Sequence, residues 1–143
     1  MNAECRSQIY RRFQLADFLE VGSWGKAGKP AELEERLIDF AADTCRTALD
    51  LRANPVGKHI TAQLARCSTT PGANYGEARG AESRRDFIHK MQLCLKELRE
   101  TSIWLRKIVK LELTKRRPVK PILQEYNELI AIFVASINTA KGR

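Results

Sequence analysis

The sequence predicts an all-α protein, an antiparallel up-down four-helix bundle. Apolar residues recur at three- and four-residue steps in four segments, as on the buried face of a helix. Proline, glycine and asparagine separate these segments, and no segment shows the alternating pattern of a strand. Four helices with short connections favour an antiparallel bundle. The 143 residues, 43% of them hydrophobic, are enough for one domain to bury a core.

The first helix of the bundle is predicted to begin at Pro30 and to end before Asn54-Pro55. Its apolar face consists of Leu33, Leu37, Phe40, Ala41, Thr44, Ala48 and Leu51. We therefore divide the chain into an N-terminal extension and flexible linker, residues 1–30, and a bundle domain, residues 31–143.

Residues 1–30 contain aromatic and apolar residues that fit a helical stripe loosely, and we expect one short helix there. Within this range, Gly22–Pro30 is predicted to be a flexible connector. It contains Gly-Lys pairs, which also occur in phosphate-binding loops. It does not match such a loop, because Ser23 stands where the first glycine is required and Pro30 where Ser or Thr would bind magnesium.

The remaining three helices follow from local signals. The second is predicted from about Gly57 to Gly80, kinked rather than stopped at Pro71. Ser83 caps the third, with Asp86 at its third position, and this helix continues to about Leu111. Pro118 and Pro121 mark the start of the fourth. Its core stripe is predicted as Ile122, Tyr126, Leu129, Ile130, Phe133 and Ile137.

The net charge of +8 is concentrated in the second half of the chain, where residues 72–143 carry 15 Lys and Arg against 8 Asp and Glu. An advance of about 100° per residue places the cations of the third helix on one face. The loop after that helix adds four more cations. The predicted cationic site comprises Arg85, Lys96, Arg99, Arg106, Lys107, Lys110, Lys115, Arg116, Arg117 and Lys120.

Clustered cations bind phosphate without base-reading geometry, so this face predicts sequence-independent binding of RNA or DNA. The alternative is a solvated or protein-facing surface, whose charge Glu97 and Glu100 partly offset. The opposite sector of the helix predicts the core, namely Phe87, Met91, Cys94, Leu98, Leu105 and Val109.

Leu93 and Trp104 fall between the two faces, and Ile103 interrupts the basic one. These three residues predict a subunit contact, because aromatic residues are enriched in interface cores. For Trp104 the alternative is that it completes a broad core within one chain.

The sequence offers no set of catalytic or metal-binding residues. His59 and His89 lack a Glu three positions before them, so a di-metal bundle site is not indicated. No nucleophile elbow is present, and Cys5, Cys45, Cys67 and Cys94 lie far apart without zinc spacing. We expect neither a cofactor nor an enzyme. No apolar run is long enough to span a bilayer, and we expect a cytoplasmic protein without a membrane partner.

Several blocks occur in order with specific spacing: GANYGEA at 72–78, AESRRDFIHK at 81–90, LRET at 98–101, WL at 104–105, NELIAI at 127–132, SI at 136–137 and TAK at 139–141. The likeness extends back to about Leu33 and includes GKHI at 57–60 and QL at 63–64. These blocks resemble the bacterial four-helix bundle proteins first noticed as reading frames inside intervening sequences of large-subunit ribosomal RNA genes.

The resemblance implies a left-handed bundle assembled as a homopentameric ring, without a known enzymatic activity. Asn74, Tyr75, Glu77, Ser83, Asp86 and Phe87 lie within its blocks, and we assign them structural roles. For Asn74 this role is hydrogen bonding to backbone groups near Pro71, and acidic residues are expected to pair with Arg or Lys.

A more distant analogy, by fold and charge, is the accessory variability protein of diversity-generating retroelements, a basic pentamer that binds nucleic acid and a reverse transcriptase. Two functions are therefore carried forward. The first is non-specific nucleic-acid binding by a homo-oligomer. The second is a scaffold that binds a protein such as a reverse transcriptase.

Overall fold

The computed structural model describes residues 29–51 and 53–142, which form four helices. We number them α1, Pro30–Leu49; α2, Pro55–Arg79; α3, Arg84–Lys110; and α4, Lys120–Ala140. They pack as a bundle, so the predicted fold class is confirmed. The short helix and most of the connector predicted within residues 1–30 lie outside the described residues.

Contacts between successive helices join the start of one to the end of the next. The Tyr75 hydroxyl, near the end of α2, donates to the Pro30 carbonyl at the start of α1 (3.4 Å). Thr61, in the second turn of α2, donates to the Ala48 carbonyl near the end of α1 (3.0 Å). The Arg84 side chain at the start of α3 likewise donates to the Ala140 carbonyl at the end of α4. The helices thus alternate in direction.

The core follows a seven-residue repeat. Seven of the eight buried residues of α3 alternate steps of four and three, namely Phe87, Met91, Cys94, Leu98, Thr101, Leu105 and Ile108, and Ser102 lies beside this stripe. Five of the six buried residues of α1 alternate in the same way, namely Leu33, Leu37, Phe40, Thr44 and Thr47, with Ala48 beside them. This spacing is typical of helices that coil around each other with a left-handed twist.

The repeat corrects one core assignment. Val109 was predicted in the core of α3, but it is 54% exposed, whereas Ile108 is 0% exposed. A straight helix drifts about 20° per seven residues relative to a strict heptad. Over the three heptads from Phe87 to Ile108 the drift adds up to about 60°, which brings Ile108 to the buried side in place of Val109.

Side-chain caps begin α2 and α3, and the cap of α3 is the predicted one. The Asn54 side chain accepts a hydrogen bond from the Gly57 amide (2.8 Å). The Ser83 hydroxyl accepts from the Asp86 amide (3.1 Å), as the sequence indicated. The α2 helix is continuous across Pro71, which is buried. The Ser83 cap therefore fixes where α3 begins.

The end of α3 is closed by its backbone. Glu112 adopts a left-handed conformation (φ 50°). The Leu113 amide donates to the Ile108 carbonyl and the Glu112 amide to the Val109 carbonyl (both 3.2 Å), which is the Schellman arrangement. Leu113 is returned to the core. The segment that follows is therefore held at the surface beside the end of α3.

No described helix is both long enough and apolar enough to cross a membrane.

Candidate functional site

The outward face of α3 carries two parallel columns of residues, which we call the α3 ridge. In each column the residues are seven apart, or about 10.5 Å along the helix axis. All eight are exposed, and none is acidic: Arg85, Gln92, Arg99 and Arg106 in one column, and His89, Lys96, Ile103 and Lys110 in the other. None of the five cations forms an ion pair with another described residue.

The carboxylates of α3 turn away from the ridge. Glu97 and Glu100 lie on the flank that faces α2, where both pair with Arg66 (3.0 Å from Arg66 Nη1 to Glu97 Oε2). The Glu97 side chain is only 13% exposed. In the alternative reading of the basic face these two carboxylates partly offset its charge, but both of them pair with Arg66. The α3 ridge therefore keeps its positive charge.

Lys107 and Trp104 form a second arrangement on the same flank. The Lys107 ammonium lies 3.9 Å from the centre of the Trp104 ring, a cation–π contact. The ring also meets His59 of α2 edge-on (5.5 Å between centres), and its Nε1 donates to Glu100 (3.4 Å). Trp104 thus makes the contacts within one chain that we considered as the alternative to a subunit interface.

The other two residues of the predicted interface are accessible. Leu93 is half-buried and Ile103 is 49% exposed on the α3 ridge itself. Contact of Leu93, Ile103 and Trp104 with a second subunit stays a prediction.

The α3–α4 loop continues the positive surface. Lys115, Arg116 and Lys120 are exposed around an open depression of about 650 Å³, which Val109 connects to the end of α3. Arg117 differs, because it pairs with Asp50 beyond α1 (2.6 Å). The structure therefore places nine of the ten predicted cations without a carboxylate partner among the described residues, and Arg117 with one.

The opposite side of the bundle is acidic. The outer face of α1 exposes Glu32, Glu35, Asp39 and Asp43. Arg36 bridges from α1 to Glu125 and Glu128 of α4 (2.8 Å each) beside a cleft of about 340 Å³. Because α1 packs on α2 and α4 and lies diagonally across from α3, positive and negative charge occupy opposite faces.

The residues in the sequence blocks contribute to the framework. Tyr75 and Phe87 are buried, and the Tyr75 ring meets Phe133 edge-on (6.0 Å between centres). Glu77 pairs with Lys90 of α3. Asn74 makes no hydrogen bond with another described residue, so the bond predicted between Asn74 and the backbone near Pro71 is not found, and the Pro71 carbonyl accepts from the Cys94 thiol instead.

The buried cysteines are poor nucleophiles. Burial raises the pKa of the Cys94 thiol to about 12, and it also raises the pKa of the Cys67 thiol. The Cys94 thiol donates to the Pro71 carbonyl (3.4 Å). Within residues 29–51 and 53–142, no group of three or more His, Cys, Asp or Glu side chains is arranged to hold a metal ion.

Reasoning from one helix at a time missed Arg66. Its pairing with Glu97 and Glu100 depends on how α2 and α3 are aligned, which no single-helix pattern reports. Arg66 lies on the flank of α2 that faces these two carboxylates of α3, and the sequence pattern of one helix does not contain this relation.

The fold and the cationic face together define a small helical bundle with one strongly basic outer helix. The sequence profile of the 23S rRNA-intervening sequence protein family matches residues 32–135, and the chain belongs to this family. A crystal structure of a protein of unknown function from the S23 ribosomal protein family of Bacteroides thetaiotaomicron is similar. It is 28% identical, with a TM-score of 0.69, over 76% of this chain and 97% of that chain. No curated protein matches the sequence.

Proposed function

We propose that this protein is a non-enzymatic, cytoplasmic nucleic-acid-binding protein that uses the α3 ridge and the adjoining loop cations. One observation carries the proposal. The eight residues of the α3 ridge include five cations and no carboxylate, while Glu97 and Glu100 of the same helix are held by Arg66.

Such a surface suits the phosphate backbone rather than the bases. A row of Arg and Lys displaces counterions from nucleic acid, and this release supplies most of non-specific affinity. Hydrogen bonds that read base edges need side chains shaped to a groove. On the α3 ridge the cations repeat at the heptad interval without aromatic side chains for stacking. Binding without sequence preference follows.

Self-association is part of this proposal. The family resemblance implies a homopentameric ring, and Leu93, Ile103 and Trp104 are the residues that we propose at its subunit contacts. In a ring each copy presents its own ridge to the same strand. Linked sites of this kind raise the apparent affinity well above that of one copy.

The test is a charge reversal with a matched control. The ridge variant carries Arg99→Glu, Arg106→Glu and Lys110→Glu. The control variant carries Lys29→Glu, Arg46→Glu and Lys141→Glu, three exposed cations outside the ridge. Both variants change the net charge equally, so only the place of the reversal differs. Binding of labelled RNA and DNA duplexes is followed by fluorescence anisotropy.

We expect the ridge variant to lose affinity for both nucleic acids by at least tenfold relative to the control variant. Circular dichroism of each variant checks that the helices remain. Equal affinity of the two variants would show that the α3 ridge is not the binding surface.

A protein scaffold is the second candidate, favoured by the exposed Ile103 in the middle of the cationic columns. An apolar side chain there suits a protein interface, for example with a reverse transcriptase, better than a phosphate backbone. Light scattering separates the two functions. A stable oligomer that binds neither RNA nor DNA at low salt would favour the scaffold, and a monomer would refute self-association.

A further inference from the structure

The second half of α4 carries no charge on its outward face. Residues 129–140 contain no charged residue. Buried positions account for part of this, but Ala131, Ala135 and Asn138 are exposed, and Ile132 and Val134 are half-buried. A depression of about 610 Å³ lies on this face beside Asn127, Glu128, Ala131 and Ile132. Small exposed side chains beside half-buried Ile132 and Val134 form an uncharged surface on which another segment can pack.

The first 28 residues supply apolar side chains of the kind that could cover it. They hold four of the ten aromatic residues of the chain, at Tyr10, Phe13, Phe18 and Trp24. Aliphatic residues lie among them, so the stretch from Ile9 to Trp24 has the composition of a segment that buries side chains.

The chain leaves the described structure beside this face. Arg36 of α1 pairs with Glu125 and Glu128 of α4. Because α1 and α4 run in opposite directions, following α1 back from Arg36 to Pro30, about 9 Å, leads along α4 towards its uncharged part. The N-terminal segment therefore joins α1 level with residues 129–140.

The lengths also agree. As a helix, residues 9–24 would span about 24 Å, and residues 129–140 span about 18 Å. Five residues connect Trp24 to Pro30, enough to turn back onto the surface of α4.

We propose that the N-terminal segment of this chain docks on the outward face of α4 and buries its apolar side chains against Ala131, Ile132, Val134 and Ala135. The segment then covers this uncharged face of α4. This inference does not depend on nucleic-acid binding, because the α3 ridge and the α4 face are separate surfaces.

Trp24 provides a direct reporter. The chain has two tryptophans, so Trp104→Phe leaves Trp24 as the sole one. In this background two variants, Ala131→Glu and Ala135→Glu, each place a charged and larger side chain on the α4 face. Ala65→Glu, at an exposed position of α2, is the matched control. Emission maximum and acrylamide quenching of Trp24 are measured, with helix content checked by circular dichroism.

The proposal predicts blue-shifted, weakly quenched Trp24 emission in the parent and in the Ala65→Glu variant. It predicts a red shift and several-fold stronger quenching in the two α4 variants. Solvent-exposed Trp24 in the parent, or equal emission in all variants, would overturn it.

Tryptic cleavage gives a second readout that keeps Trp104. Arg11, Arg12 and Lys26 are cleavage sites within the segment. Cleavage there is expected to be several-fold faster with Ala131→Glu than with Ala65→Glu. If rates are equal and Ala131→Glu instead lowers the mass measured by light scattering, a second copy covers α4 and the proposal is wrong.

Discussion

Tyr75 and Cys94 are the two side chains whose ionisation burial disfavours most clearly. Burial raises the pKa of the Tyr75 phenol from 10.0 to about 12 and that of the Cys94 thiol from 9.0 to about 12. Both groups are neutral below pH 9, where they do not make stability depend on pH. Above their ordinary pKa values the unfolded chain loses these protons first, so stability falls as pH rises from 9 towards 12.

We predict that Tyr75→Phe reduces this alkaline loss. The phenyl ring keeps the edge-on contact with Phe133 and gives up the hydrogen bond to the Pro30 carbonyl. The free energy of unfolding by urea is measured for both proteins at several values between about pH 8 and pH 11. The parent is expected to lose more stability than Tyr75→Phe above pH 10. An identical pH dependence of the two proteins would contradict the burial of a neutral phenol.

For a single helix, the features that could be predicted from the sequence are those that depend on neighbouring residues in the chain, such as the cap at its start. The Ser83 hydroxyl accepts from the Asp86 amide three residues further on, so its role could be assigned without knowing the neighbouring helices. The position of Val109 could not, because the coiling of helices around each other moves the buried stripe. The partners of Glu97 and Glu100 also depend on the alignment of two helices.

The seven-residue repeat makes a prediction at Ile108 and Val109. Ile108→Ala removes a fully buried side chain and is expected to lower the free energy of unfolding by about 2–5 kcal/mol. Val109→Ala alters a side chain that is 54% exposed and is expected to change it by less than about 0.5 kcal/mol. Urea unfolding followed by circular dichroism measures both. A larger loss of unfolding free energy for Val109→Ala than for Ile108→Ala would place Val109 in the core, as the sequence predicted, and contradict the seven-residue repeat.

At the scale of the whole molecule, charge is separated across the bundle. The α3 ridge is positive, and the outer face of α1 bears Glu32, Glu35, Asp39 and Asp43. If the protein binds a polyanion as we propose, this separation would orient it, because the α1 face would be repelled while the ridge is attracted. The sequence could predict the ridge, since its residues belong to one helix. It could not place the acidic face opposite, which needs the packing order of all four helices.

The central claim is that the α3 ridge contacts the phosphates of a nucleic acid. The salt dependence of binding tests it most directly, because this dependence measures how many phosphates the protein neutralises. For a DNA duplex, the logarithm of the binding constant falls with the logarithm of salt concentration by about 0.9 for each phosphate neutralised. We predict that reversing Arg99, Arg106 and Lys110 reduces the magnitude of this slope by about 3. The slope of the Lys29, Arg46 and Lys141 control should stay near that of the parent. Equal slopes for the parent and the ridge variant would contradict contact between the α3 ridge and nucleic acid.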